Sequence, residues 1–175
     1  RLSPVAIFRR SNKMGGMSEK TPTETITELI KGIKIAMLTQ INSNGRLVSH
    51  PMATQDVDFD GDVWFIAERN SEKVLDLAGD NRVNVAYSGK GSWVSLSGQA
   101  QVVDDPARLK EYWGMFTDAW MEGGPESPNN ILIHIVADSA EYWGTPGSAV
   151  TQIANFVKSK AKGERIEGNN DAVEL

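Results

Sequence analysis

Residues 48–55, "VSHPMATQ", decide how this chain folds. Their flanks read as β-structure: "KIAMLTQIN" (34–42) and "SNGRL" (43–47) before, "DVDFDGDVWFIA" (56–67) after. A strand with one wet and one dry face alternates polar and apolar residues. This stretch does not. His50 shares a face with Val48 and Met52, while Ser49 and Gln55 share the other with Ala53. Pro51 sits between them and cannot donate to a ladder. Such a strand has something other than water or core against it. Around it, Ile35–Ile41 is an apolar strand, "NSNG" (42–45) a hairpin signal, Arg46–Val57 the long second strand, "DFDGD" (58–62) a turn and Val63–Ala67 a buried strand. The short turn predicts that the second strand and Val63–Ala67 are neighbours.

Outward from that core, "TPTE" (21–24) opens a helix: Thr21 caps, Pro22 occupies the first turn and Glu24 completes a capping box. Ile26, Leu29, Ile30 and Ile33 follow at helical spacing, and the helix ends near Gly32. Ser71 caps "EKVLDLA" (72–78), with Val74, Leu75 and Ala78 as its apolar stripe. Strands are predicted at Val83–Tyr87, Trp93–Val103 and Ile131–Tyr142. A helix begins in "DDPARLKEYW" (104–113), and 122–130 is a loop. Trp113, Phe116 and Trp120 read as packing residues. Ala149–Lys160 reads as an amphipathic helix and the tail from Gly163 as loose. Six strands joined by hairpin-length turns, with few helices, predict a mainly β fold: a six-stranded antiparallel split barrel.

The 175 residues suit one domain, with 40% hydrophobic and 23% charged residues. There is no cysteine, which excludes disulfides and thiolate chemistry and suits a cytoplasmic setting. No apolar run approaches the ~20 residues of a membrane span. Arg1, Arg9, Arg10 and Lys13 stand in residues 1–16 without an acid, so the body is more acidic than the net charge of −5. An acidic body argues against nucleic acid as the partner. We read 1–16 as vector-derived residues or a basic arm, 17–148 as the barrel domain, and 149–175 as a terminal helix and tail. With two histidines, His50 and His134, no multi-histidine metal site arises within one chain. Asp56, Asp58, Asp60 and Asp62 alternate around a turn but lack the twelfth-position glutamate of a calcium loop. No residue stands out as a catalytic acid, base or nucleophile.

"FIAERNSEK" (65–73) is a strand, a turn and a helix start. Ser71 adds a hydroxyl and Lys73 a cation within one turn, which suits a phosphate; Ser71 as a plain cap and Lys73 as a solvated cation is the other reading. His50 and Gln55 on the neighbouring strand would converge on the same edge, although His50 as an ordinary half-buried histidine stays open.

The order of "GRLVSHPM", "DVWFIAERNSEKV", "NRVNVAY", "SWVSLSGQA" and "AEYWGTP" across about residues 22–146 resembles the bacterial general stress proteins. These belong to the pyridoxamine 5'-phosphate oxidase-like superfamily of FMN-binding split barrels. The resemblance implies a homodimer with FMN at the subunit interface. It assigns His50 to the phosphate, Pro51 and Met52 to the flavin edge, and Phe65, Ile66 and Ala67 to the ring through backbone groups. Ser71 and Lys73 take the phosphate-binding helix start, and Trp143 a flavin contact across the dimer. The chain departs from the oxidase pattern in three places. His50 replaces an arginine and Glu72 replaces a base. After "EYWGTP" there is Arg165 but no histidine to complete an Arg-x-His pair. The expected function is therefore an FMN-binding flavoprotein of the general stress type, with weak oxidoreductase activity as an open extension, and not a pyridoxamine phosphate oxidase. The alternatives are a non-enzymatic flavin-binding stress module, or a barrel holding deazaflavin or haem.

Overall fold

The computed structural model describes residues 21–55, 59–89 and 91–144, with the backbone of 169–174. Residues 1–16, the expected helix at 149–160 and Arg165 lie outside them.

The first helix, α1 (Pro22–Ile30), starts as its residues dictate. The Thr21 hydroxyl accepts from the Glu24 amide at 3.2 Å, and the Glu24 carboxylate accepts from the Thr21 amide at 2.7 Å. Its apolar face lays Ile26 and Leu29 into the barrel. The next pair is the expected hairpin: β1 (Ile35–Ile41) runs antiparallel to β2 (Leu47–Ala53), from Ile35 opposite Ala53 to Ile41 opposite Leu47. The Asn42 side-chain oxygen accepts from the amides of Asn44 and Arg46, and Gly45 supplies the left-handed turn residue at φ +73°.

One expectation fails at the end of β2. The strand stops at Ala53 instead of running to Val57, because β1 offers no partner beyond Ile35. Thr54 turns away instead, donating its amide to the Lys34 carbonyl and its hydroxyl to the Ile33 carbonyl. β3 (Asp62–Glu68) neighbours β2 as the short turn predicts, but without a ladder between them. Its ladder is with β6 (Asn130–Gly144), with Phe65 opposite Ile133. The remaining strands are β4 (Arg82–Ser88) and β5 (Ser92–Val103), and the hydrogen-bonded path is β2-β1-β4-β5-β6-β3. Every pairing is antiparallel. The sheet curls until its two end strands, β2 and β3, stand alongside without a ladder between them. That seam is the split of a split barrel.

The tail is a further correction. β7 (Asn169–Glu174) adds to β6, with Gly144 opposite Asn169 and Ser139 opposite Glu174. The barrel interior is filled by Leu38, Phe65, Val85, Leu96, Ile133 and Ile135, all fully buried. Each such side chain contributes about 1.5–3 kcal/mol of transfer free energy. β3 is buried on both faces. Phe65 and Ala67 point into the barrel, while Trp64 and Ile66 meet Leu109 of α3 (Pro106–Tyr112). A short α4 (Met115–Asp118) follows. Of the three aromatic residues expected to pack here, Trp113 does so against the Trp64, Ile66 and Leu109 cluster, while Trp120 is 70% exposed and Phe116 is also exposed. No helix of the described residues is long and apolar enough to cross a membrane.

Candidate functional site

The seam gives two facing strand edges, each paired on one side only. Unpaired edge groups are ready donors and acceptors for whatever lies between them. On β2 the inward positions are Val48, His50 and Met52; Leu47, Ser49, Pro51 and Ala53 face outward. Pro51 is tolerated because β2 is an edge strand. His50 stands opposite Leu38, and Met52 is buried in the core.

Above the inward face of β1 and β2 sits α2 (Glu72–Asp76). Val74 and Leu77 bury into the core and fix it there; Leu75, assigned to the apolar stripe from the sequence, is 60% exposed. A helix this short has no room for a stripe at helical spacing. Ser71 occupies the N-cap position, but its hydroxyl donates to the Glu68 carbonyl at 2.7 Å and caps no helix amide. Two polar ties hold α2 to the β1–β2 hairpin. The buried Gln40 side chain donates to the Lys73 carbonyl at 2.9 Å, and the Asp76 carboxylate accepts from the Ser43 amide at 3.0 Å.

These ties bring His50 and Lys73 together. Burial lowers the pKa of His50 below its ordinary 6.5, and the Lys73 ammonium lowers it further; Asp76 and Glu72 oppose this more weakly. The imidazole is therefore neutral near pH 7. Its Nε2 is buried without a hydrogen-bond partner. Buried polar atoms in folded proteins are nearly always paired, so this orphan is a hydrogen bond left unmade.

The other expected residues divide. Phe65, Ile66 and Ala67 spend their side chains on packing, which leaves only the backbone of β3 on the seam side. Gln55 lies past the end of β2, roughly 16 Å along the chain from His50 at strand rise. It lines a different recess of about 310 Å³ with Thr54, Lys31, Lys34, Phe65 and Tyr87, so His50 and Gln55 do not converge. Trp143 stands opposite Trp93 on the outer face, far along the ladder from β2. His134 is otherwise engaged: its Nε2 lies 2.8 Å from the Asp62 carboxylate and its ring stacks on Trp64 at 3.9 Å. Asp60, expected in a solvated acidic turn, accepts from the Asp62 amide, while Asp56 and Asp58 lie outside the described residues. Among the described residues there is no group of three or more acidic or histidine side chains able to hold a metal.

Sequence reasoning missed Gln40 and Asp76. For Gln40 a signal existed: in "IAMLTQI" it shares the inward parity of Ala36 and Leu38, so it is a polar side chain on a dry face.

The model of the pyridoxamine 5'-phosphate oxidase-like family matches residues 21–167. The chain belongs to that family. The solved structures it resembles include several general stress proteins. General stress protein 26 of Bacillus anthracis is 25% identical, with a TM-score of 0.62 over 69% of this chain and 92% of that one. A putative general stress protein 26 from Jannaschia is 25% identical, with a TM-score of 0.65 over 87% and 98%. The general stress FMN/FAD binding protein of Xanthomonas citri is 28% identical, with a TM-score of 0.62 over 72% and 90%. Protein bli-3 of Neurospora crassa is 27% identical over 139 residues, which is 73% of this chain and 66% of that protein, slightly under two thirds of its length.

Proposed function

We propose that this oxidase-like chain is a flavoprotein of the general stress type that takes FMN along the seam between β2 and β3. The meeting of the His50 imidazole with the Lys73 ammonium, held by the Gln40 tie, carries the reading. Those two side chains would hold the phosphate, and Ser71 would join them once its hydroxyl turns from the Glu68 carbonyl. The β2 edge at Pro51 and Met52 and the free β3 edge at Phe65, Ile66 and Ala67 would lie along the ring system. The bound flavin would supply electron-carrying chemistry; the chain's part is binding and orientation. The likeness to a stress protein described as FMN/FAD binding supports the flavin class. Glu72 beside the phosphate position weakens anion binding and predicts modest affinity. Haem is disfavoured at His134, whose Nε2 is engaged by Asp62.

A homodimer fits the outer face of the sheet. One row across it is small and polar: Ser49, Thr39, Asn84, Ser97 and Ser139 stand side by side, tied by Thr39–Ser49 at 2.7 Å and Asn84–Ser97 at 3.1 Å. Around it Leu47, Trp93, Ile35 and Met37 are exposed by 39–75%. A flat sheet face with exposed apolar side chains suits a second copy. It also carries Trp143, the residue expected to reach a flavin across the dimer.

Titration of FMN, followed by quenching of its fluorescence, tests the assignment. Lys73→Ala removes a charge-assisted contact worth about 1.5–3 kcal/mol, so Kd rises roughly tenfold to a hundredfold. An unchanged Kd refutes the phosphate position. Turnover of a reduced nicotinamide then separates a weak oxidoreductase from a non-catalytic flavin holder.

A further inference from the structure

Gln40 lies inside the barrel and is 1% exposed. Its amide has only one workable orientation, because the carbonyl of Lys73 can accept and cannot donate; the NH2 must face it. Oε1 is thereby turned elsewhere, and it is buried without a partner. The other orphaned buried side-chain atom among the described residues is Nε2 of His50. The two belong to one neighbourhood. Gln40 stands opposite Val48 and His50 opposite Leu38, so they are diagonal neighbours on the inward face of the β1–β2 pair. Diagonal positions lie about 7–8 Å apart, within reach of long side chains. An acceptor and a potential donor are thus left unpaired at diagonal positions, within side-chain reach of each other.

A hydrogen bond between the two has a protonation state. Oε1 accepts only, so Nε2 must carry a proton to meet it. A neutral ring with its proton there leaves Nδ1 as a bare acceptor, which repels an anion. A ring protonated at both nitrogens donates to Oε1 and to an anion together.

This inference rests on the anion-binding reading of the seam. We propose that Gln40 is a positioning residue that couples phosphate binding to uptake of one proton by His50: its amide nitrogen anchors Lys73, its oxygen accepts from Nε2–H, and Nδ1–H is presented to the anion. The proton comes from solvent. Among the described residues, the charged groups acting on His50 are Lys73, Glu72 and Asp76, all of or beside α2, while β1 contributes only Leu38 and Gln40. In the free protein burial and Lys73 keep the ring neutral; a phosphate dianion reverses that balance. Affinity then falls as pH rises, by roughly tenfold per pH unit where one proton is taken up.

Calorimetric titration of FMN into the full chain at about pH 7.5 tests this, in buffers of different ionisation enthalpy. A phosphate monoester with its second pKa near 6 is then mostly dianionic, so uptake reports the protein. The expected result is about one proton per FMN for the parent and none for His50→Asn. Gln40→Met should take up less than the parent and bind about tenfold more weakly. Imidazole nitrogen NMR of the unmodified chain guards against a Gln40 variant that fails to fold: His50 should go from neutral to doubly protonated on adding FMN. Binding without proton uptake, or a Gln40→Met variant matching the parent in affinity and proton count, overturns the inference alone. No binding at any pH overturns the flavin reading and this inference with it.

Discussion

Among the described glycines, Gly98 has the least room for an added atom. The register between β5 and β6 slips between Ser97 and Gly98, a bulge that bends the central pair of the sheet. A Cβ at Gly98 would overlap the Val136 carbonyl oxygen and stand 2.8 Å from the Ala137 Cα and 2.9 Å from the Val136 carbonyl carbon. All three are backbone, so no side chain can rotate aside, and β6 is held on its other edge by β3 and β7. Relief requires the two strands to separate by about an ångström. Overpacking costs about 1–3 kcal/mol and occasionally more; with rigid backbone on the far side we expect the upper end. For a chain of this size each kcal/mol lowers Tm by about 2–4 °C, so Gly98→Ala should melt roughly 6–12 °C below the parent. Gly79→Ala is the control. Its Cβ meets only the Asp76 carbonyl at 3.6 Å and its φ is not left-handed, so Tm should hold or rise slightly. Thermal melts by circular dichroism decide the matter. A Gly98→Ala variant melting within about 1 °C of the parent would refute the close approach at the bulge.

Three further outcomes follow from the same geometry. His50 has a folded pKa below its ordinary 6.5, so the ligand-free protein loses stability as pH falls below that value and through the lower folded one. Chemical denaturation across this window should show a shallower loss for His50→Asn. Asp105 caps α3 by accepting from the Arg108 amide at 3.0 Å; Asp105→Ala should cost about 1 kcal/mol and about 2–4 °C in Tm. Met37→Asp places a carboxylate on the exposed outer face opposite Pro51, where a second copy would bury it unpaired. Sedimentation velocity should show a dimer for the parent and a monomer with unchanged far-ultraviolet dichroism for the variant; a variant that still sediments as a dimer moves the interface elsewhere.

What could be read from the chain was mostly local. The capping box at Thr21 and Glu24, the "NSNG" turn and the inward parity of Val48, His50 and Met52 are set by nearest neighbours along the sequence, and the structure has them. Parity says which face a residue takes and nothing about which strand lies beside it. That is why the sequence placed β2 and β3 next to each other, as they are, but did not show that β3 takes its ladder from a strand more than sixty residues on. The apolar run Val63–Ala67 announced a strand covered on both faces, which the core and α3 provide. "NNDAVE" gave no alternation to read, so β7 was invisible. At the site, His50 and Lys73 were legible as types suited to a phosphate. Their meeting depends on Gln40 and Asp76 tying α2 down, contacts across about thirty residues that no local pattern encodes.

The central claim is that the seam holds a phosphate through His50 and Lys73. The most direct measurement is the ratio of affinities for FMN and riboflavin, which share the ring and differ in the phosphate. The account predicts FMN tighter by roughly tenfold or more, with the ratio collapsing toward one in Lys73→Ala. Equal affinities in the parent chain would contradict it.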